Sequence, residues 1–469
     1  MTDSRPDRGH RTLKLRAPLR WTVPMLLMVL LTGVARAADS ALHRISLDSA
    51  IATALRNNRT LKAGGLSSEA ATADVSAARG AMIPRLDANE NVSYSNNPVQ
   101  VFSDRLLQQD FSKSSFGLNA LNYPNYLSNF QSQIVLSYPL FAGGRLIAAY
   151  RVAGFAADVQ RWQLIQTRQA VEFDVIEAYY AAMLAEQKMD VVDRGLAAAR
   201  AHLTQAGDLF RHGMVVNSDV LRTRVLVGNL EQDRLETQSQ VGIARAKLAH
   251  ILAQEDEAVA PIKGPAVLSR SAQAPGELKV LQEQAVAARP EIKVADSRVR
   301  QAREAVTIAR ADYLPTVGLS GIYENDSERL VRAGNNAGVL LTGHLNLFNG
   351  MATRAKVDAA EADLSRAQVL ADDLRHAIRL GVETAYHNLL AARQELEVAK
   401  GNTAYANRAL KILEDRYGSG LATNVAVLDA QATRDEADLR AVTVEVTVAV
   451  DDAALQLATG HELGPSSGS

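Results

Sequence analysis

The chain of 469 residues carries 51 Lys+Arg against 52 Asp+Glu, is 47% hydrophobic but only 5% aromatic, and contains no cysteine. The missing cysteines exclude disulfides, thiolate metal ligands and a lipidated N-terminal cysteine. The balanced charge gives no electrostatic support for nucleic-acid binding.

Residues 1–37 read as a secretory signal. Arg5, Arg8, Arg11, Lys14, Arg16 and Arg20 precede an apolar run from Trp21 to Val34, and Ala35-Arg36-Ala37 supplies a small-residue cleavage site, leaving Ala38 as the mature terminus. The run is about 14 residues, short of the roughly 20 that a spanning helix needs. Its removal takes away 7 basic and 2 acidic residues, so 44 less 50 gives a mature charge of -6. No later stretch is long and apolar enough to span as a helix, so any membrane insertion must be by strands.

A first helix is predicted over about 46–80, followed after Pro84 by a strand pair over about 84–141. Its first strand carries Leu86, Ala88, Val92 and Tyr94, and its second Ile134, Leu136, Tyr138 and Leu140. Tyr94, Phe102, Phe111, Phe116, Tyr123, Tyr126, Phe130, Tyr138 and Phe141 gather here in an otherwise aromatic-poor chain, as in the girdles of membrane barrels. The plainer reading is a soluble hairpin packed on the helices.

After Gly143-Gly144 a helix of about 65 residues, on the order of 100 Å long, runs to a tip at Gly213. Asn217 and Ser218 are the expected N-caps of a return helix ending near Ala253. Residues 254–276, with Pro261, Pro265 and Pro275, read as an irregular connector. The order then recurs: a helix over about 277–312, a strand pair over about 315–348, a long helix after Gly350, a tip at Gly418 and Gly420, Thr423 and Asn424 as N-caps, and a return helix to Thr459. Residues 461–469 read as a flexible C-terminal tail.

The recurrence is a duplication. At an offset of 207 (348 less 141), residues 141–253 lie over 348–460 without a gap, pairing Phe141 with Phe348, Gly143 with Gly350, Phe210 with Tyr417 and Gly213 with Gly420. Upstream of the strands the offset is 231 (315 less 84), so the first copy carries 24 extra residues between its strands. The repeats are therefore 38–253 and 277–460, a duplicated architecture rather than a short-period solenoid.

Within the long helices an alanine-rich seam recurs at alternating steps of four and three, from Ala360 through Leu389 to Tyr417 and, 207 residues earlier, from Ala153 to Phe210. That is a coiled-coil period, with a stutter at Ala385 and Leu389 that locally unwinds the supercoil. Each strand run is about the 9 to 11 residues that cross a bilayer when tilted. Four strands cannot close alone in lipid, where an open edge leaves unmet hydrogen bonds, so the chain must oligomerise. Eight strands from a dimer or twelve from a trimer both satisfy that constraint.

These residues resemble the TolC outer-membrane efflux channel family. The resemblance rests on Leu140-Phe141-Ala142-Gly143-Gly144-Arg145 and Leu347-Phe348-Asn349-Gly350 at strand-to-helix joins, on Leu314-Pro315 before a strand, and on the paired tips His212–Val220 and Tyr417–Leu421 with Val427-Leu428-Asp429. It implies a mainly α fold with a membrane β-barrel: a homotrimer with a 12-stranded barrel in the outer membrane and long coiled-coil hairpins forming a periplasmic α-barrel tunnel. The connector and the tail would join an equatorial collar. The implied partners are outer-membrane lipid, a periplasmic adaptor (membrane fusion) protein and an inner-membrane RND, ABC or MFS transporter, serving efflux or type I secretion.

In the family a tyrosine, an arginine and aspartates close the periplasmic mouth. Asp219, Tyr417 and Asp429 match and become gate candidates, whereas Ala422 stands in place of the arginine and Ala426 in place of one ring aspartate. Asp219 would accept a hydrogen bond from Tyr417 across neighbouring hairpins, and three copies of Asp429 would make a cation-favouring ring. More plainly, Asp219 complements the positive end of the return helix and Asp429 is a solvated helix residue. Phe210, Gly213, Met214, Gly420 and Leu421 are the adaptor-docking candidates at the tips.

Nothing in the chain points to catalysis or a cofactor. The 9 histidines are scattered, and neither a nucleophile elbow nor a phosphate loop occurs. The reading is thus a passive export duct driven by a partner pump. The alternative is a trimeric coiled-coil structural or surface protein, which would not need strand pairs embedded between its helices.

Overall fold

A computed structural model of the chain describes residues 43–254, 259–261, 276–329 and 334–461. The expected signal segment, most of the connector and all but the first residue of the tail lie outside the described residues.

Each predicted short helix is in fact two. Helix α1 (Leu47–Asn57) and α2 (Arg59–Gly80) meet at Asn58, and α7 (Leu278–Ala288) and α8 (Pro290–Arg310) meet at Arg289. Asn58 takes an extended backbone, ending one helix and capping the next with its side-chain oxygen, which accepts from the amides of Thr60 and Leu61 at 2.9 and 3.1 Å. In the second copy Pro290 drives the residue before it out of the helical region, and Arg289 sits at φ -65°, ψ 132°. The amphipathic pattern runs across both breaks, which is why each pair reads as one helix from periodicity.

The long helices α5 (Arg145–Arg211) and α9 (Ala352–Gly418) have 67 residues each, and the return helices α6 (Asn217–Ile251) and α10 (Asn424–Ala458) have 35 each. At about 1.5 Å per residue the long members reach on the order of 100 Å. α5 pairs with α6 and α9 with α10 as hairpins, and α5 also packs against α10, so the two hairpins stand side by side. The seam lies on buried positions: Ala371, Ile378, Leu389, Ala392, Leu396, Ala399, Ala406 and Leu410 in one copy, and Val171, Ala182, Leu196, Ala199 and Ala206 in the other. Near the base of the hairpins Ile51, Leu248 and Leu252 are fully enclosed, each contributing on the order of 1.5–3 kcal/mol.

Two three-residue strands in this region escape sequence reading. β1 (His43–Ile45) pairs in parallel with β4 (Val259–Pro261). Arg44 fastens the pair, donating to the Pro261 carbonyl at 2.7 Å and meeting the buried Glu186 carboxylate at 3.2 Å, while Arg245 holds the same carboxylate at 2.6 Å.

The remaining strands, β2 (Arg85–Ser95), β3 (Leu127–Ala142), β5 (Thr316–Ser327) and β6 (Gly334–His344), form one antiparallel sheet in the order β2-β3-β5-β6. The extra residues of the first copy carry α3 (Pro98–Leu107), a 3₁₀ turn (Lys113–Phe116) and α4 (Leu118–Asn122). Part of the aromatic cluster packs on itself here: Phe111 lies edge-on to both Phe102 and Phe116, each at 5.0 Å.

Register separates the sheet into two chemistries. One face aligns Leu86, Leu136, Gly321 and Val339, then Ala88, Ile134, Tyr323 and Ala337. The other aligns Asn89, Gln133, Glu324 and Asn336, then Asn91, Gln131, Asp326 and Gly334. On the apolar face Leu136 is 39% and Val339 80% exposed in the single chain. No helix among the described residues is long and apolar enough to cross a membrane.

Gly143 sets the strand-to-helix join. Its φ is +61°, and a Cβ there would lie 2.7 Å from the Ala311 carbonyl oxygen. Gly350 makes the equivalent turn at φ +67° with open space around it, and Met351 follows at φ +68°.

Candidate functional site

Both hairpins end in the same hydrogen-bonded device. Gly213 and Gly420 sit at φ +73°, and the next residue reaches back five positions, Met214 N to Leu209 O at 2.9 Å and Leu421 N to Arg416 O at 2.8 Å. This is a Schellman close, which favours glycine at the left-handed position. His212 Nδ1 meets the Asp208 carbonyl at 2.8 Å and Ser419 Oγ donates to the Asp415 carbonyl at 3.1 Å, so this sequence difference changes little at the tip.

The asymmetry lies elsewhere. Phe210 is 43% exposed, whereas its repeat mate Tyr417 is 4% exposed and packs with Leu410, Val427, Leu209 and Val215. Met214 and Leu421 are exposed, so the docking candidates Phe210, Met214 and Leu421 present apolar surface to solvent in the single chain.

The return helices are capped differently from expectation. Thr423 caps α10, accepting from the Ala426 amide at 3.3 Å, but α6 begins after Val216, and neither Asn217 nor Ser218 caps it. Asn424, expected as a cap, is buried and does different work. Its amide nitrogen donates to the Asp219 carbonyl at 3.1 Å and to Thr223 Oγ1 at 3.3 Å, which turns its Oδ1 toward His202 Nε2 at 2.6 Å. With both amide hydrogens placed, His202 is the donor in that bond. The His202 ring lies against Tyr417, centroids 5.0 Å apart. One cluster thus draws residues from α5, α6, α9 and α10.

Of the gate candidates, the structure brings Tyr417 and Asp219 together within one chain without a hydrogen bond between them. The Tyr417 hydroxyl is buried and has no hydrogen-bond partner within the single chain. Burial, and then the negative charge of Asp219, push the phenol above its ordinary range. Asp219 joins the cluster through its backbone carbonyl. Asp429 lies apart and exposed, its backbone carbonyl accepting from Thr433 Oγ1 at 2.8 Å.

Farther along the seam Gln431, also buried, donates across from α10 to the Gly195 carbonyl at 3.1 Å. Gly195 leaves room for Asp435, whose Oδ2 would lie 3.0 Å from a Cβ at that position. His202, Thr223, Asn424 and Gln431 were not singled out as linking residues by the sequence, because their partners are more than 190 positions away and obey no local period. Among the described residues, no three His, Asp or Glu side chains converge as a metal site.

The profile of the outer membrane efflux protein family matches residues 50–254 and 281–461. The chain belongs to that family. It is thus an outer-membrane channel of the efflux and type I secretion class. Protein CyaE of Bordetella pertussis is 29% identical over 71% of this chain and 71% of its own length. Outer membrane efflux protein BepC of Brucella suis is 23% identical over 92% and 89% respectively. A membrane protein from Pseudomonas aeruginosa of known structure shares the fold, with a TM-score of 0.77 at 22% identity over 88% of this chain and 93% of that one. The fold is therefore mainly α, with long helical hairpins that build a tunnel and strands that build a membrane barrel.

Proposed function

We propose that three copies of this family member close into one duct, each giving four strands to a twelve-stranded barrel and four helices to a periplasmic tunnel. The observation that carries this is the sheet. It leaves β2 and β6 as unpaired edges and exposes an apolar face, including Leu136 and Val339, that water would not favour. In lipid every strand edge must be paired, and one chain cannot pair its own.

The duct is passive, and energy and substrate choice lie with an inner-membrane RND, ABC or MFS transporter reached through a periplasmic adaptor. Exposed Phe210, Met214 and Leu421, beside the glycine closes at Gly213 and Gly420, are the surface offered to that adaptor. The gate is the packed end of the hairpins, with Tyr417 filling its core, Asp219 beside it and Asp429 facing the aqueous side. No arginine latch is available at Ala422, and the buried His202–Asn424 hydrogen bond links the two hairpins in its place.

Single-channel recording in planar bilayers tests the gate. The unmodified protein should conduct weakly, and Tyr417→Ala or Asp219→Ala should raise conductance. Unchanged conductance in both variants would remove these residues from the gate.

A further inference from the structure

The loop helix α3 lies across the end of the sheet farthest from the long helices, and its contacts gather on one face. Gln108 Nε2 donates to the Ser128 carbonyl at 3.0 Å and to Asn129 Oδ1 at 2.9 Å. Gln109 Nε2 donates to the Asn335 carbonyl at 3.3 Å, and Asn336 Nδ2 to the Leu107 carbonyl at 3.4 Å. Gly334 permits the approach, since a Cβ there would collide with the Leu107 carbonyl oxygen and lie 2.8 Å from the Gln108 carbonyl carbon. Residues alternate faces along a strand, so Asn129, Gly334 and Asn336 share the face that carries Gln131, Gln133, Glu324 and Asp326.

α3 itself has two sides. Val101, Asp104 and Gln108, at helical spacing, form the side on the strands, and the first two are 4% and 2% exposed. Val99 and Leu106, seven residues apart on the opposite side, are 79% and 51% exposed. Phe102 stands between them and lies edge-on to Phe111.

In a membrane barrel the apolar face meets lipid and the polar face meets the lumen. A helix laid on the polar face therefore stands inside the barrel. Twelve strands spaced about 4.8 Å apart and tilted about 40° close at roughly 24 Å across. A helix with its side chains is about 10–12 Å thick, so three of them laid on the wall occupy most of that width.

We propose that α3 is an outer lid: three copies on the luminal face narrow the cell-surface mouth of the duct, ring it with Val99 and Leu106, and limit the size of what leaves until they swing off the strands. The lid rests on the three-chain barrel proposed above and adds a second constriction to the one at the hairpin tips. Its apolar ring disfavours water, as hydrophobic constrictions do in other channels. The amide hydrogen bonds that hold it contribute about 0.5–1.5 kcal/mol each, a grip light enough to release when cargo enters.

The chain has no cysteine, so a single introduced cysteine reports alone. Ser320 lies on the same face as Glu324 and Asp326, nearer the long helices than α3, and Ser320→Cys places the reporter beneath the lid. Intact cells are treated from outside with a small maleimide or a bulky polyethylene-glycol maleimide, and labelling is read on the purified protein beside its native mass. The expected result is labelling by the small reagent and exclusion of the bulky one. Bulky labelling should appear when α3 is displaced by Gly334→Val, or by Gln108→Ala together with Asn336→Ala. Free bulky labelling with α3 in place would overturn the lid, as would exclusion that persists in both displacement variants. Failure of the small reagent to label would place this face out of water and overturn the luminal position. A native mass of three chains with any of these contrary results faults the lid alone, whereas a single chain faults the barrel and the lid with it.

Discussion

His202 of the first hairpin and Asn424 of the second meet at 2.6 Å inside the protein, two polar side chains buried where the hairpins converge. The same Asn424 side chain reaches α6 through Thr223 and the Asp219 carbonyl, so a single amide joins three helices. Removing it strands the buried His202 donor, at a cost of about 1–3 kcal/mol, while the Thr223 hydroxyl keeps its 2.9 Å bond to the Asp219 carbonyl. Asn424→Ala should therefore loosen the tip, raising planar-bilayer conductance and speeding amide exchange at the start of α10 while leaving exchange near Leu248 unchanged.

Tyr417 separates packing from hydrogen bonding. Its hydroxyl has no partner within the chain, so Tyr417→Phe should change stability by less than about 1 kcal/mol and leave conductance as it was. Tyr417→Ala removes a ring packed among Leu410, Val427 and Leu209, costing about 3–5 kcal/mol locally. Conductance traces of the two variants compared side by side check this. A leak in Tyr417→Phe would show that the hydroxyl gains a partner in the assembled protein.

Gly143 and Gly350 occupy equivalent turns with different surroundings. At Gly143 a methyl group meets the Ala311 carbonyl oxygen at 2.7 Å, whereas at Gly350 it meets nothing. Both substitutions to alanine carry left-handed strain of roughly 1 kcal/mol, but only Gly143→Ala must also displace backbone. The expected outcome is a clear loss of thermal stability in Gly143→Ala and a small loss in Gly350→Ala, read by circular dichroism melting.

Helix lengths and ends were legible because the repeat copies them: Arg145–Arg211 lies over Ala352–Gly418 and Asn217–Ile251 over Asn424–Ala458 at the same offset. The strands were legible from alternation, since one face of the sheet needs apolar residues and the other polar ones. The breaks at Asn58 and Arg289 were not, although a cap residue and a proline marked them, because the apolar face continues through both. β1 and β4 are too short to alternate. The link from His202 to Asn424 was hidden for a different reason: a buried polar contact between remote positions leaves no period, and Asn424 also reads naturally as an N-cap. The repeat itself concealed the tip asymmetry, since Phe210 and Tyr417 share a register but differ in burial.

Asp435 gives the seam a pH dependence. Burial raises its carboxyl above 3.8, opposed by Arg434, reinforced by Asp438 and opposed again by Arg194. A carboxyl that holds its proton more tightly in the folded state favours folding most below its unfolded value, and that contribution is lost as pH rises through the raised folded value. Relative to Asp435→Asn, the unmodified protein should therefore lose stability as pH climbs from about 3.8 through that raised value, with a constant difference above it. Denaturant unfolding of both proteins across this range checks the slope. The opposite slope would show that the pair with Arg434, at 2.9 Å, outweighs burial.

The central claim is that one chain supplies a third of a closed duct. Native mass spectrometry of the protein extracted from the outer membrane in detergent measures this directly. The account predicts a complex of three chains; a single chain, or a water-soluble protein that never enters the membrane fraction, would contradict it.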